Sequence, residues 1–217
     1  MRLGQNAGMS ERSVLTLPAT GYRRERWRNG RGWTREILAL PAAADWDLRL
    51  SIAELDAVAD FSPFPGVERE QVLLHGNGLR LQFDDGQLAE LLPPHQRIRF
   101  AGARAVTGVP VDGPVQVFNL MWRPGSLDAQ LFHRPLVGDM WCFGDAQTGW
   151  AVHVLAGNAR IGGSGDRDHA GLATGDSAWL APVAGRWRYP IAGVGELLLV
   201  QARWPAPGGR ATRPKTA

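Results

Sequence analysis

The segment Gln71-Val72-Leu73-Leu74-His75-Gly76-Asn77-Gly78-Leu79-Arg80-Leu81-Gln82-Phe83-Asp84-Asp85-Gly86 contains the features that decide the fold of this chain. Two short apolar runs, 71–74 and 79–83, are each followed by a turn sequence. Asn-Gly and Asp-Gly between alternating segments are the strongest local signals of β-hairpins. The segment therefore predicts short antiparallel strands, with a hairpin at each of the two turns.

The neighbouring segments extend this pattern of short strands. Residues 46–53 alternate apolar and polar side chains, as expected for a half-buried strand. Its apolar face is expected to hold Trp46, Leu48, Leu50 and Ile52, and its polar face Arg49 and Ser51. Residues 61–66 are too rich in proline for a helix and predict a loop. For residues 126–139 a short helix and an irregular crossover both remain open.

The second half of the chain resembles the first at a nearly constant offset. Gly76 and Gly157 are 81 residues apart in matching contexts, and two further matches lie at an offset of 80. The matched pairs are 74–80 with 155–160, 92–100 with 172–180, and 111–114 with 191–194. Regular self-similarity of this kind predicts an internal duplication of an all-β unit. Chance similarity between ordinary hairpins is the alternative.

The segment Thr174-Gly175-Asp176-Ser177-Ala178-Trp179-Leu180-Ala181-Pro182 resembles the turn "G-D-x-x-x-x-P" of cupins. We therefore predict an all-β double cupin, two fused β-barrels or jelly rolls from an internal duplication. The expected divisions are a flexible N-terminus (1–20), an N-terminal cupin unit (21–125), a C-terminal cupin unit (126–204) and a disordered basic tail (205–217).

Charge and rare residues exclude several classes of function. The formal net charge is +3, with an isoelectric point near 9.7, and the tail alone contains Arg210, Arg213 and Lys215 without an acid. A near-neutral body predicts no nucleic-acid partner. Because Lys215 is the single lysine, no phosphate-binding or Schiff-base lysine is expected inside the fold.

Cysteine usage and hydropathy suggest the compartment. The single cysteine, Cys142, excludes an intramolecular disulfide and is consistent with a reducing cytoplasm. The polar first fifteen residues predict no signal peptide, and no run of 18 apolar residues indicates a membrane span. We expect a cytoplasmic protein without a membrane partner. A free edge strand leaves a homodimer open.

Histidine spacing predicts no transition-metal site, although a site built from distant histidines stays open, and we expect no cofactor. Metal-binding cupins use a His-x-His pair, because alternate residues of a strand point to the same side. The five histidines are at positions 75, 95, 133, 153 and 169, and no two lie within four residues of each other.

Four ordered blocks resemble motifs of the HutD/Ves family. The blocks are Trp27-Arg28-Asn29-Gly30-Arg31-Gly32-Trp33-Thr34-Arg35-Glu36-Ile37, Trp46–Leu55, Phe61-Ser62-Pro63-Phe64-Pro65-Gly66-Val67-Glu68-Arg69, and Gly113–Met121. They are similar to the family's "W-x-N-G-G-G-x-T-R-E-I", "W-x-x-R-x-S-x-A-E-V", "F-S-x-F-P-G-x-D-R" and "G-P-x-x-D-F-N-x-M". Two positions depart from these patterns, Arg31 at the middle glycine of the triplet and Val117 at the aspartate.

The resemblance implies a protein linked to histidine breakdown that binds a small carboxylate metabolite, of the urocanate or N-formylglutamate class, without catalysing a step. The first barrel is expected to form the pocket. Hydrogen-bonding residues would be Asn29, Thr34, Glu36, Arg49, Ser51, Glu54, Arg69 and Asn119, and the apolar wall would be Phe61, Phe64 and Met121.

Alternatives remain at this point. One is a metal-independent isomerase or hydrolase that uses Glu54 or Glu36 as acid and base. Another is a regulatory protein that docks a partner through its tryptophans. At the level of single residues, Arg49 and Glu54 would form an ordinary solvated ion pair, and Phe61 and Met121 would be core residues.

Overall fold

The computed structural model describes residues 14–27, 29–162 and 169–206. These residues form an all-β fold with one short 3₁₀ turn at Ala19–Gly21, and no helix among them is long and apolar enough to cross a membrane. The strands are β1 (Val14–Leu17), β2 (Arg23–Arg26), β3 (Trp33–Ala42), β4 (Asp45–Leu55), β5 (Ala59–Phe61), β6 (Glu68–His75), β7 (Leu79–Phe83), β8 (Leu88–Leu91), β9 (Arg97–Ala101), β10 (Val106–Pro110), β11 (Val115–Trp122), β12 (Asp128–Gly144), β13 (Thr148–Gly162), β14 (His169–Ala173), β15 (Ser177–Leu180) and β16 (Trp187–Arg203).

The first unit is built from two antiparallel sheets. One has the strand order β2-β3-β4-β11-β6-β9 and the other β5-β10-β7-β8. Their inner faces share an apolar core, because every second residue of a strand points to the same side. Members that are at most 1% exposed are Leu55, Ala59, Leu73, Leu79, Leu81, Leu91 and Val117.

The second unit is a six-stranded sheet in the order β1-β15-β13-β16-β12, with β14 paired to β13. It surrounds its own apolar core, whose fully buried members are Val152, Val154, Ile161, Ala178, Leu180, Tyr189, Ile191 and Leu197. The long strands β13 and β16 change direction at glycines with positive φ, Gly157 (82°), Gly193 (152°) and Gly195 (147°).

A third apolar cluster joins the two units. The outer faces of β4 and β11 contribute Leu50, Phe118 and Trp122, which pack with Leu198 and Val200 of the second unit. All five side chains are at most 1% exposed. The two units therefore share one core region.

The two turns of the segment 71–86 behave differently. The hairpin predicted at 84–86 is confirmed, because β7 pairs antiparallel with β8 across it. The hairpin predicted at 75–78 is wrong: β6 pairs with β9 and β11, and β7 lies in the other sheet. This turn is a corner at which the chain changes sheets. Gly76 (φ 105°) permits it, since a Cβ atom there would lie 2.7 Å from Val115 Cγ1.

Strand β1 begins at Val14, within the stretch 1–20 that was expected to be flexible. Strand β1 pairs with β15 of the second unit, and Ala19 N donates to Asp176 Oδ1 at 2.8 Å. The earlier part of that stretch, 1–13, and the predicted tail from 207 onward lie outside the described residues. The region 126–139, left open from sequence, enters the long strand β12 at Asp128.

Trp46 lies on the other face of β4 from the one that alternation predicts. Leu40 pairs with Leu48 and Pro41 with Trp46, so Asp47 is an extra residue in the ladder. Such a bulge shifts the alternation by one residue. Trp46 consequently packs with Met121 on the inner side of the first unit, while Leu48 stays in the interface between the units.

Candidate functional site

A cavity of about 250 Å³ opens at one end of the first unit. Two inner strands change there from apolar to polar side chains: β4 runs from Leu55 and Ala53 to Ser51 and Arg49, and β11 runs from Val117 to Asn119. The lining residues are Glu25, Arg26, Trp27, Thr34, Arg49, Ser51, Ala53, Phe61, Ser62, Phe64, Arg69, Asn119 and Met121. The cavity is thus the polar continuation of the barrel's apolar core.

Arg69 is the most buried charged group in this wall, at 6% exposure. Its Nε and Nη2 atoms donate to Asn119 Oδ1 at 3.1 and 2.9 Å, and Gln71 Nε2 donates to the same oxygen at 2.9 Å. The guanidinium also lies 4.7 Å from the centre of the Phe61 ring. Nη1 makes no hydrogen bond to a described residue, so its N–H groups are available to a ligand.

No carboxylate among the described residues lies within ion-pair distance of Arg69. Burial, and secondly the nearby positive charge of Arg49, lower the pKa of Arg69 to about 9. Arg49 itself is paired, since its Nε lies 2.9 Å from Glu36 Oε2. The cavity therefore contains one buried positive charge that lacks a counter-ion, which is costly in free energy.

The remaining wall is aromatic and apolar. Trp27 Nε1 donates to Thr34 Oγ1 at 2.8 Å, and its ring lies 5.4 Å from that of Phe61. On another side, Phe64 packs with Trp46 at a ring distance of 5.9 Å. A flat apolar group could therefore lie between aromatic side chains while its polar end reaches Arg69.

Most of the site residues predicted from sequence are brought together here. Eight of them line the cavity, namely Thr34, Arg49, Ser51, Phe61, Phe64, Arg69, Asn119 and Met121. Lining a cavity does not establish ligand contact, so their binding roles stay predictions.

Three predicted residues do not line the cavity. Asn29 is exposed in a turn, where its side chain donates to the carbonyl of Asp60 at 3.3 Å. Glu36 is not among the lining residues, and its carboxylate forms ion pairs with Arg49 and Arg23. Glu54 is on the opposite face of β4.

The placement of Glu54 corrects two interpretations. It pairs with Arg24 at 2.7 Å and Arg35 at 2.8 Å, so the ordinary ion pair expected between Arg49 and Glu54 is wrong. Residues three apart in a strand face opposite sides, so Glu54 cannot share a pocket with Ser51. It is not placed to accept a ligand N–H in this cavity.

Sequence reasoning missed several members of the site. Gln71 is fully buried and completes the network around Asn119. Its signal was present, because it follows Arg69 by two residues and so faces the same side. Lining residues that were not assigned a role are Glu25, Arg26, Trp27, Ala53 and Ser62.

The two departures from the family motifs lie outside the cavity wall. Arg31 is exposed in the turn before β3, where its backbone N–H donates to Asn29 Oδ1 at 3.1 Å. Val117 is fully buried in the apolar core, two residues from Asn119 on the same face of β11. Its carbonyl accepts a hydrogen bond from Asn119 Nδ2 at 3.3 Å.

No histidine or cysteine is among the residues that line this cavity. Elsewhere in the described residues, however, the fold brings His95, His133 and Glu196 together, with ligand atoms within 4.8 Å of one another. Sequence spacing gave no sign of this group, because its members are distant along the chain.

Two fused antiparallel β units, the first with a cavity at the end of its barrel, define the class of double cupins. The chain belongs to the HutD family, whose profile matches residues 19–199.

Individual relatives agree with this membership. The chain is 36% identical to Protein Ves of Cronobacter sakazakii over 132 residues, which is 60% of this chain and 70% of the relative. It is 35% identical over 117 residues, 53% of this chain and 61% of the relative, to an uncharacterized 21.2 kDa protein in the hutC 3′ region of Pseudomonas putida. The structure of HutD from Pseudomonas fluorescens SBW25 in a formate condition superposes with a TM-score of 0.77 at 27% identity, and the match covers 89% of this chain and all of that one.

Proposed function

We propose that this protein binds a small carboxylate metabolite in the cavity of its first cupin unit and thereby modulates histidine utilisation. The observation that carries the proposal is Arg69, a buried guanidinium without a carboxylate partner among the described residues. Arginine binds carboxylates with good geometry, and a bound anion would compensate the buried charge.

The chemistry of the wall narrows the class of ligand. The carboxylate would accept from Arg69, with the hydroxyls of Ser51 and Thr34 as further partners. A flat or apolar remainder would lie against Phe61 and Met121. Urocanate and N-formylglutamate both carry carboxylates and match a cavity of about 250 Å³, which is small for a nucleotide-type cofactor.

The link to histidine breakdown is supported by names of relatives. One relative lies in a hutC 3′ region, and one similar structure is a HutD protein determined in a formate condition. A cytoplasmic location, suggested by the single cysteine, is part of the same proposal.

The second candidate is a metal-independent isomerase or hydrolase. Its proposed acid and base, Glu54 and Glu36, are both engaged with arginines and do not line the cavity. The single carboxylate of the wall, Glu25, is half exposed and paired with Arg23 at 2.9 Å. Ligand binding is therefore better supported by the geometry than acid–base chemistry.

A thermal-shift titration tests the proposal with urocanate, N-formylglutamate, histidine and formate, each with and without EDTA. A ligand that binds only the folded state must raise the melting temperature. We expect a saturable rise with one of the two larger carboxylates that EDTA does not change. Absence of a shift with all four compounds would contradict the proposal, and loss of the ligand-induced shift in EDTA would indicate that a metal takes part.

A further inference from the structure

A compact group of potential metal ligands lies where the two units meet, away from the carboxylate cavity. His95 comes from the turn between β8 and β9, His133 from β12, and Glu196 from β16. His133 Nε2 lies 2.9 Å from Glu196 Oε2, and His95 Nε2 lies 3.7 Å from the same oxygen. The first unit thus supplies one ligand and the second unit two.

His133 and Glu196 lie at the end of a row of apolar side chains on the face of the second unit that packs against the first. His133 pairs with Leu198 in the ladder between β12 and β16, and Glu196 is two residues before Leu198. Both therefore point to the same face as Leu131 and Leu198, which pack against the first unit. Polar side chains here face His95 rather than other parts of their own sheet.

His95 is held in an orientation that suits a metal ligand. Its backbone has φ 53°, which is uncommon for a residue other than glycine, and its Nδ1 donates to the carbonyl of Leu73 at 2.9 Å. A histidine ligand commonly donates its second ring nitrogen to a backbone carbonyl, and this leaves the other nitrogen with a free lone pair. That nitrogen, Nε2, faces the carboxylate of Glu196.

Two acceptors facing each other across 3.7 Å require a cation or a proton between them. Two imidazoles and one carboxylate form a donor set that Zn²⁺ uses at sites with an open position. In a tetrahedral zinc site neighbouring donor atoms are about 3.3 Å apart, which lies between the 2.9 and 3.7 Å that separate the Glu196 oxygen from the two histidine nitrogens. The nearby Arg97 and Arg134 each donate to a backbone carbonyl of β12.

We propose that His95, His133 and Glu196 bind a divalent transition-metal ion, with Zn²⁺ as the expected occupant, between the two cupin units. The site is independent of the proposed carboxylate binding, since none of its residues lines that cavity. Three protein ligands leave at least one coordination position to water. The ion would add a link between units that already meet through apolar side chains and a few hydrogen bonds, such as that of Tyr22 with Ser177.

The test is a calorimetric titration of the EDTA-treated and dialysed full-length protein with ZnCl₂. The variants are His133→Ala and Glu196→Gln, and the matched control is His75→Ala, which removes an exposed histidine outside the group. We expect one equivalent to bind to the wild-type protein and to the control. Loss of one ligand should weaken binding at least about tenfold, which is the minimum usual for loss of a supporting contact.

We expect both variants to fold, because the side chains of His133 and Glu196 are partly exposed. Melting temperatures measured in EDTA check this. Wild-type protein that binds no Zn²⁺, or that binds it as tightly as the folded His133→Ala variant, would overturn the proposal. Titration of the variants with urocanate and N-formylglutamate separates the two proposals, since a metal-site variant should keep its carboxylate affinity.

Discussion

At the scale of single residues, Arg69 is a buried cation, and no carboxylate among the described residues lies within ion-pair distance of it. Its two hydrogen bonds end on the amide oxygen of Asn119, and burial, followed by the charge of Arg49, lowers its pKa. A buried cation in such surroundings is destabilising until an anion joins it. The proposed ligand carboxylate would be that anion.

The substitution Asn119→Asp tests this view by adding the missing counter-ion within the protein. A carboxylate at the position of Asn119 Oδ1 would form an ion pair with Arg69 and compete with the ligand. We expect ligand affinity to fall at least about tenfold, with the melting temperature maintained or raised. The exposed Asn77→Asp adds the same charge outside the cavity and serves as control. Unchanged affinity in Asn119→Asp would show that Arg69 is not the carboxylate partner.

His153 predicts a pH dependence of stability. The ring shares a hydrogen bond of 2.9 Å with Ser177 Oγ, and its pKa is lowered from 6.5 to about 4, first by burial and then by Arg35. Asp176 raises this pKa and His75 lowers it slightly. Below pH 6.5 the imidazole of His153 binds a proton in the unfolded chain but not in the folded protein. The contribution of neutral His153 to the free energy of unfolding is therefore fully present above pH 6.5 and is lost as the pH falls toward 4.

Urea denaturation across this range measures the effect. The free energy of unfolding should decrease by up to about 3 kcal/mol between pH 6.5 and 4 because of His153. The variant His153→Gln keeps a hydrogen-bonding group that cannot be protonated. It should therefore flatten the dependence of the free energy of unfolding on pH. An equally steep curve in His153→Gln, with His75→Gln as control, would assign the pH dependence to other groups.

Part of the site could be predicted from sequence, and the reasons differ by residue. Thr34, Arg69 and Asn119 were found because they fall within motifs that resemble one family. Glu54 was assigned to the pocket although it is three residues from Ser51 in β4. Residues an odd number apart in a strand face opposite sides, so alternation excludes Glu54 from the face of Ser51. The approach of His95 to His133 had no signal, because pairing between distant strands is not encoded in local spacing.

At the scale of elements, alternation predicts the strands well and their bends poorly. The polar side of β4 and the hairpin between β7 and β8 agree with the sequence patterns. The bulge at Asp47 and the corner at 75–78 do not follow from them, since each depends on which sheet receives the next strand. A Gly-Asn-Gly turn is compatible with a hairpin and with a change of sheet.

Gly195 should be one of the least replaceable residues in the second unit. A Cβ atom there would lie 1.9 Å from the carbonyl oxygen of Ala156, and its φ of 147° disfavours other residues. We expect Gly195→Ala to reduce the free energy of unfolding by more than about 3 kcal/mol, measured with urea. Gly125→Ala has open space around it and should change stability by less than about 0.5 kcal/mol. Similar values for both variants would contradict the close strand approach.

At the scale of the whole molecule, the two units are not independent along the chain. Strand β1 precedes the first unit in sequence but pairs with β15 of the second. The shared core buries Trp122 and Leu198 from opposite sides. The expected division near residue 125 therefore separates strands but cuts through a common apolar interface. The duplication suggested by the offset of 80 stays a prediction.

Differential scanning calorimetry tests this coupling. The full chain should unfold in a single transition whose calorimetric and van't Hoff enthalpies agree. Leu198→Ala, which removes interface volume, should destabilise the whole molecule by about 2–5 kcal/mol. Two separate transitions, of which Leu198→Ala shifts only one, would mean that the units unfold independently.

The central claim is that the buried charge of Arg69 binds a ligand carboxylate. Isothermal titration of the wild-type protein and Arg69→Met with urocanate and N-formylglutamate tests it most directly, with the exposed Arg80→Met as control. We predict that one compound binds stoichiometrically to the wild type and control. Arg69→Met should lose about 100-fold in affinity or more, without a lower melting temperature. Equal affinity in wild type and Arg69→Met, or no binding of either compound to the wild type, would contradict the account.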